Sequence, residues 1–388
     1  MNRIEQLIEE LCPDGVEFKE LSMVAEIGTG SSNGNEATDS GKYPLYVRSK
    51  IVKRIDTFEF DEEAIIIPGE GGIGEIFHYI NGKYALHQRA YRIKVISSEI
   101  STKFLCYYMM SNFKEFILQK AVNATVISIR KPMIAKFPIP LPPLPIQQEI
   151  VTILDTFTAL DASLQAELEA RRKQYEHYRN QLLNFEGKEV EWKSLGEVCD
   201  IFDGTHQTPK YTNEGVRFVS VENIKALYET KKCISKFDYE NLYKIKPQLN
   251  DVFMTRIGSI GACAIVDRDE ELAFYVTLTL IRPNQNIVKS KFIKFFIESS
   301  LGQIELRKRT LVNAVPIKIN LGEIGKIKIP LPPLSEQERI VGILDKFDAL
   351  VSSTGSATGG IPAEIAARRK QYEYYREKLL SFEIKGNK

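Results

Sequence analysis

The sequence has few of the residues that build metal or redox centres. Among 388 residues there are five cysteines and four histidines. Cys12, Cys106, Cys199, Cys233 and Cys263 are never closer than 30 residues, which excludes a CxxC redox pair and a zinc knuckle. Reduced, mostly buried thiols are expected. His78, His87, His177 and His206 are equally scattered, so no metal site is expected. Long apolar runs are missing too: no stretch approaches the roughly 18 residues of a membrane span. The segment from Met1 to Cys12 is acidic and amphipathic, unlike a signal peptide. The expectation is a cytoplasmic protein without a membrane partner. An excess of one charge is the last absence. With 52 basic and 51 acidic side chains the net charge is +1, which excludes a uniformly basic nucleic-acid coat. With 43% hydrophobic and 27% charged residues, the length suffices for two or three ordinary domains.

The near-neutral total conceals a pattern. Residues 41–140 carry 15 basic and 9 acidic side chains, and residues 201–334 carry 20 and 14, so each block is +6 while the remainder is −11. These two blocks coincide with an internal duplication. Ile139-Pro-Leu-Pro-Pro-Leu144, Gln148-Glu-Ile-Val151, Ile153-Leu-Asp155, Phe157 and Ala159-Leu160 return as Ile329-Pro-Leu-Pro-Pro-Leu334, Gln337-Glu338, Ile340-Val341, Ile343-Leu-Asp345, Phe347 and Ala349-Leu350. Ala170-Arg-Arg-Lys-Gln-Tyr-Glu176 returns as Ala367-Arg-Arg-Lys-Gln-Tyr-Glu373. Weaker echoes pair Val16-Glu-Phe-Lys-Glu-Leu21 with Val190-Glu-Trp-Lys-Ser-Leu195, Ile65–Gly74 with Val252–Gly261, and Val122-Asn-Ala124 with Val312-Asn-Ala314. Each half therefore reads as a variable block, a proline-rich turn and a long helix. Shared scaffolds with divergent blocks fit two sites that recognise different things.

The near-copied segments have helical periodicity. Ile150, Ile153, Phe157, Leu160, Leu164, Leu168, Tyr175, Tyr178 and Leu182 recur mostly at three- and four-residue steps, with Arg171 at one seam position. Pro142, Pro143 and Pro145 forbid helix before it, and Gly187 ends it. About 40 residues at 1.5 Å rise make a rod of roughly 55–60 Å. Its lone apolar stripe needs a partner, and the second copy, beginning near Glu336, supplies one through Ile340, Ile343, Phe347, Leu350, Tyr372 and Tyr375. The second copy carries seven extra residues within Ser352–Pro362. There, Gly359-Gly360 before Pro362 predicts a stop and restart near 354–362, whereas the first helix runs through. Gln6–Leu11 resembles the tail of each long helix, so the termini are expected to lie close together.

Catalytic motifs are sparse. Gly69-Glu-Gly-Gly-Ile-Gly74 is a formal GxGxxG, but a dinucleotide site requires a helix directly afterwards. The continuation Ile76–Leu86 reads as a strand, an Asn81-Gly82 turn and another strand, which favours a glycine-rich bend. No Walker A motif occurs, nor the Asn/Asp-Pro-Pro-aromatic tetrad of amino-methyltransferases. The polar residues suit binding. In the first block Lys42, Tyr43, Arg48, Lys50, Lys53, Arg54, His87, Gln88, Arg89, Arg130 and Lys131 fall near strand ends and turns. In the second, Thr205, His206, Gln207, Thr208, Lys210 and Tyr211 form a polar loop, and Arg217, Asn223, Arg256, Lys308 and Arg309 fall at or near positions equivalent to the first set. Arg reads guanine edges, Gln and Asn read adenine, and Lys contacts phosphate. Base reading is assigned to Arg48, Lys50, Gln88 and Arg89 in the first block, and to His206, Gln207, Lys210, Asn223 and Arg256 in the second. The other reading of these loops is an ordinary solvated surface.

The duplicated Pro-Leu-Pro-Pro-Leu, Gln-Glu, Ile-Val, Ile-Leu-Asp, Phe, Ala-Leu and Ala-Arg-Arg-Lys-Gln-Tyr motifs resemble the conserved regions of the specificity subunits of type I restriction-modification enzymes, over essentially the whole chain. The resemblance implies an α+β fold. Two α/β target recognition domains (1–146 and 187–335), related by pseudo-twofold symmetry, would be separated by two long helices (147–186 and 336–388) paired antiparallel as a coiled coil. It also implies partners: double-stranded DNA read in two halves, two methyltransferase subunits docked on the helices, and restriction/translocase subunits held through them. No cofactor is expected on this chain. S-adenosylmethionine, ATP and magnesium would belong to the partner subunits, leaving this one non-catalytic. Two other classes stay open on the residues alone: a self-sufficient DNA-modifying or nicking enzyme, and a scaffold that binds no DNA.

Overall fold

A computed structural model describes residues 3–120, 129–352 and 359–386. The Val122–Ala124 echo and residues 353–358 of the expected helix break lie outside the described residues. The chain forms two compact units, Met1–Ser163 with Ala367–Lys388, and Leu164–Ala366. No helix among the described residues is long and apolar enough to cross a membrane.

The first unit is built on a six-stranded sheet in the order Ala25–Thr29, Ala90–Val95, Phe60–Pro68, His78–Leu86, Tyr43–Tyr46, Lys53–Ile55. The run Ala64-Ile-Ile-Ile67 is buried throughout because the sheet is covered on both faces. Ile65 and Ile67 pack with Ile27 and Ile93 against Phe104, Met109, Phe113 and Ile117 of the helix Thr102–Lys120. Ala64 and Ile66 face the other way, toward Tyr46, Tyr84 and Leu86. One expectation is overturned here. Asn81-Gly82 makes no turn, since His78–Leu86 is a single strand in which Asn81 pairs with Glu63 and Gly82 with Glu62. Seven paired residues against Phe60–Ile66 outweigh a local turn preference.

The second unit repeats this topology with one strand broken. Cys199–Asp203, Leu278–Pro283, Val252–Thr255 and Cys263–Ile265 form one sheet. Tyr211–Thr212, Cys233–Ile234, Val216–Val219 and Leu272–Phe274 form another. Val216–Val219 runs parallel to Leu272–Phe274, as Tyr43–Tyr46 runs parallel to the end of His78–Leu86. Cys263–Ile265 and Leu272–Phe274 thus stand where the first unit has one continuous strand. Residue alternation again feeds two cores: Val252, Met254 and Ile281 meet Phe292, Phe295 and Phe296, while Phe253, Leu278 and Leu280 meet Val219, Leu272 and Phe274.

The duplicated motifs now have structural causes. Phe18–Glu20 pairs with Pro138–Pro140, and Glu191–Ser194 with Lys328–Leu331, placing Phe18 opposite Pro140 and Trp192 opposite Pro330. The prolines fit because these are two-stranded ribbons with open edges. The Gln-Glu motif shifts by one residue in the first copy: the counterpart of Gln337 is Gln147, not Gln148. Both are fully buried. Gln147 Oε1 accepts from Ser101 N at 2.9 Å, and its Nε2 donates to the carbonyls of Glu99 and Pro142 at 2.7 and 2.8 Å. Gln337 accepts from Lys289 N at 3.0 Å and donates to Ile287 and Pro332 at 3.0 and 2.9 Å. Each glutamine ties a helix start to the loop that opens the helix beneath the sheet. Two turns further on, the Ile-Leu-Asp motif buries Leu154 and Leu344 and ion-pairs Asp155 with Lys103 at 2.6 Å and Asp345 with Lys291 at 2.7 Å.

The long helix runs unbroken from Leu144 to Leu182. It starts earlier than expected because Pro145 is tolerated in a first turn, where its missing N–H has no intrahelical partner to lose. It stops before Gly187 (φ 74°). The second copy is a helix Leu334–Val351 and another from Gly360 to Leu379, with Gly359 and Gly360 at φ 68° and 58°. In the first unit Phe157 packs on Tyr372 and Tyr375 (ring centroids 6.2 and 5.7 Å), and Arg369 forks onto Asp161 at 2.7 and 3.1 Å. These segments therefore cross antiparallel. In the second unit Tyr175 and Tyr178 stack on Phe347 at 6.3 and 5.3 Å. Ile150 and Ile340 are buried in the domain cores, Ile153 packs against the first of them, and Leu350 stays exposed. Val16 bridges Ile384, and Lys378 lies 3.4 Å from Glu5, so the two ends of the chain meet in the first unit.

Candidate nucleic-acid interface

In the first unit the loops leaving three strands converge on one carboxylate. Glu70, just past the strand Phe60–Pro68, accepts on the same oxygen from Arg48 and, at 2.9 Å, from Arg89. Arg48 follows the strand Tyr43–Tyr46, and Arg89 sits in the turn before Ala90–Val95. Both guanidiniums hold the Glu70 carboxyl below its usual pKa, the Arg89 hydrogen bond most strongly. His87 is buried beside them and bridges Ser32. Burial, then the two arginine charges, push its pKa down, so it faces this cluster as a neutral ring. Its Nδ1 accepts from the Arg89 amide at 3.0 Å. Gln88 donates to Asn33 at 2.9 Å, and Lys53 to the Gly34 carbonyl at 2.9 Å. Together Gly34, Arg48, Lys53, Glu70, Gly71 and His87 line an open concavity of about 660 Å³.

The remaining expected residues of this block are dispersed. Lys42 and Lys50 are exposed. Tyr43 packs on Phe58 at 5.0 Å. Arg54 is spent on its own turn, donating to the Gly41 and Lys42 carbonyls at 2.7 and 2.8 Å. Arg130 and Lys131 open the helix Lys131–Ala135, and Ile129 N donates to the Gly69 carbonyl at 2.9 Å. The glycine motif itself is a bend. Gly71, Gly72 and Gly74 take φ 69°, 59° and 69°, and the strand His78–Leu86 follows rather than a helix.

In the second unit Asp203 is the convergence point, at the end of the strand Cys199–Asp203. It accepts from Gly204 N at 3.0 Å and meets His206 Nε2 at 3.0 Å and Arg256 Nη2 at 3.3 Å. Arg256 corrects an expectation. Its side chain is 9% exposed, with Nε donating to the Val276 carbonyl at 2.9 Å, so it braces the loops from inside and offers no free edge. His206, Gln207, Thr208 and Lys210 are exposed, and Thr205 Oγ1 accepts from Gln207 N at 3.2 Å. Tyr211 stacks edge-on against Phe218 with Lys232 over its ring. Arg217 pairs with Glu270 at 2.8 Å. Asn223 Oδ1 accepts from Ser220 N at 3.1 Å, which commits that oxygen to a local turn. Lys308 and Arg309 both reach Glu305 at 2.8 Å on their own helix. Among the described residues, these last four are engaged elsewhere and do not join the Asp203 cluster.

The sequence pattern did not show the roles of Glu70, Asp203, Gln147 and Gln337. The two glutamines were within reach, since a constant offset of 190 from Ile139/Ile329 aligns them directly. The carboxylates carried no signal, because only the fold brings their partners together.

Two units of one topology, each gathering polar and cationic loop residues around a carboxylate, define a duplicated recognition protein. The profile of the type I restriction modification DNA specificity domain matches residues 13–170 and again 187–362, and the chain belongs to that family. Over 270 residues it is 37% identical to the specificity subunit of the Escherichia coli EcoR124I/EcoR124II type I restriction enzyme, spanning 64% of this chain and 63% of that relative. The crystal structure of a type I restriction-modification S subunit from M. genitalium matches with a TM-score of 0.61 at 16% identity, covering 94% of this chain and 96% of that one. A structure from work on complex assembly and conformational transition of the type I R-M system matches equally, with a TM-score of 0.61 at 16% identity over 95% and 98% of the two chains. At this identity the two structures speak for the fold alone. The chain is a type I restriction-modification specificity subunit with two DNA target recognition domains.

Proposed function

We propose that each unit reads one half of a bipartite duplex-DNA sequence. The helices set the separation of the halves and dock two methyltransferase subunits, through which restriction/translocase subunits join. The observation that carries this is the contrast between scaffold and loops. The glutamine ties and Asp–Lys pairs recur nearly unchanged in both units, whereas Arg48–Glu70–Arg89 has no counterpart at the equivalent positions of the second unit, where Asp203 and His206 gather instead. One frame with two unlike edges suits two unlike half-sites. Adenine methylation, S-adenosylmethionine, ATP and magnesium belong to the partners in this reading, and the complex works in the cytoplasm.

Mapping methylated motifs in cells that carry this chain with its methyltransferase tests the proposal. A two-part motif whose halves exchange independently when either unit is replaced is expected; a single uninterrupted motif refutes it. Inserting seven residues in the Leu144–Leu182 helix adds about 10 Å. That insertion is expected to lengthen the gap and leave both half-site sequences unchanged. The isolated chain incubated with DNA and labelled S-adenosylmethionine is expected to transfer no methyl group.

A further inference from the structure

A carboxylate among residues that face a polyanion weakens binding unless it does something else. Glu70 is such a group, with 29% of its side chain exposed in a cleft otherwise lined by Arg48, Lys53 and a neutral His87. Its Oε1 accepts from both Arg48 and Arg89, which come from separate loops and would otherwise repel each other. Neither guanidinium has another ion-pair partner among the described residues, so each keeps most of its five donors for a ligand. Glu70 Oε2 accepts no hydrogen bond among the described residues. Both arginines are about half exposed, 46% and 61%, and long flexible side chains of this kind lose much rotamer freedom when they bind.

We propose that Glu70 is a positioning residue that fixes Arg48 and Arg89 as one paired reader of adjacent guanine edges in the half-site of the first unit. Held on a single oxygen, the two forks keep a set spacing before DNA arrives. A guanine edge then gains two N–H donors without the cost of ordering them, and a base offering a donor there meets two cations that cannot swing away. The carboxylate exchanges some general affinity for this discrimination. This rests on the assignment of the first unit as a DNA reader.

The test uses the full chain assembled with its methyltransferase and selection from a duplex pool randomised across the first half-site. Glu70→Gln keeps the shape and removes the charge. It is expected to relax discrimination about tenfold at the one or two positions that Arg48→Ala and Arg89→Ala also relax. The second half-site and the salt dependence of binding are expected to stay unchanged. Combining Glu70→Gln with Arg48→Ala is expected to add little to Arg48→Ala alone, and Glu70→Asp to restore part of the discrimination. If both arginine variants relax the motif while Glu70→Gln leaves it intact, the positioning role is refuted but the reader stands. If all three variants leave the first half-site intact, the reading of this cleft as the DNA edge fails with it.

Discussion

The buried glutamines give the sharpest quantitative test. Replacing Gln147 by Leu keeps the side chain's approximate volume, so no cavity term arises, and removes three hydrogen bonds of 2.7–2.9 Å. Ser101 N–H and the Glu99 and Pro142 carbonyls then lose their partner at a position where the replaced side chain has no solvent exposure. A buried orphan group costs about 1–3 kcal/mol, and the carbonyls recover part of that by local shifts, so a loss of about 3 kcal/mol is expected. The loss must be local, because Gln147 and Gln337 sit in different units and share no partner. Residue-resolved hydrogen exchange reads it directly. In Gln147→Leu the Ser101 amide is expected to lose about a hundredfold protection while the Lys289 amide keeps its own; Gln337→Leu reverses the pattern. Trp192, the only tryptophan, lies in the second unit against Phe296, so its fluorescence during urea unfolding follows that unit. It is expected to report an earlier transition for Gln337→Leu. A loss below about 1 kcal/mol with Ser101 protection intact refutes the idea that these ties hold the helix start to the domain.

The exposed Lys103–Asp155 pair supplies a contrast: with side chains 43% and 40% exposed, Asp155→Asn is expected to cost less than about 1 kcal/mol by the same exchange measurement. Arg256→Ala takes one of three partners from Asp203 and strips the guanidinium from the Val276 and Ile319 carbonyls, so an earlier Trp192 transition by about 2–3 kcal/mol is expected, with binding weakened on every DNA sequence alike; relaxation at a single base position would mark Arg256 as a reader after all. Burial lowers the His78 pKa below its usual 6.5, opposed by the Ser49 carbonyl. The unfolded chain therefore takes up a proton first, and stability is present above pH 6.5 and falls as the pH drops through 6.5 toward the lower folded value. Exchange protection in the first unit between pH 7.5 and 5.5 is expected to fall more steeply in wild type than in His78→Asn. Gly74→Ala would place Cβ 2.7 Å from the Lys114 backbone at φ 69°, whereas Gly71 has the same φ and open space. Gly71→Ala is expected to cost about 1–2 kcal/mol of backbone strain, and Gly74→Ala clearly more.

The duplication made the scaffold legible. A repeat that preserves Pro-Leu-Pro-Pro-Leu, Ile-Leu-Asp and a glutamine at fixed offsets records which contacts both units need, and the ribbon, the buried leucine and the Asp–Lys pair account for each. The interruption of the second helix was readable because glycine and proline act locally. Strand limits were not. Asn81-Gly82 has every local mark of a hairpin, yet pairing with Glu62 and Glu63 holds it extended. The cationic residues divide along the same line. Arg48 and Arg89 lie 41 positions apart, Arg54 and Arg256 look equally available in the sequence, and only the tertiary structure shows that the first two share Glu70 while the others are spent on carbonyls.

That division bears on how such a protein changes its target. The ties that seat each unit use main-chain groups of Ser101, Glu99 and Pro142, or of Lys289, Ile287 and Pro332, so any side chains at these positions satisfy them, except that Ser101 and Lys289 must not be proline. Among the described residues, Arg48, Glu70 and Arg89 make their hydrogen bonds away from these groups. If these loops are the reading edge proposed above, new side chains can enter it without loosening the seat, and an added cation gains a fixed position where a carboxylate holds it. Glu70 does this for Arg48 and Arg89 in the first unit, whereas Asp203 in the second holds Arg256, which braces the loops from inside. In the proposed reader, the frame constrains where a cation can stand, and the loop carboxylate decides how firmly it stands there.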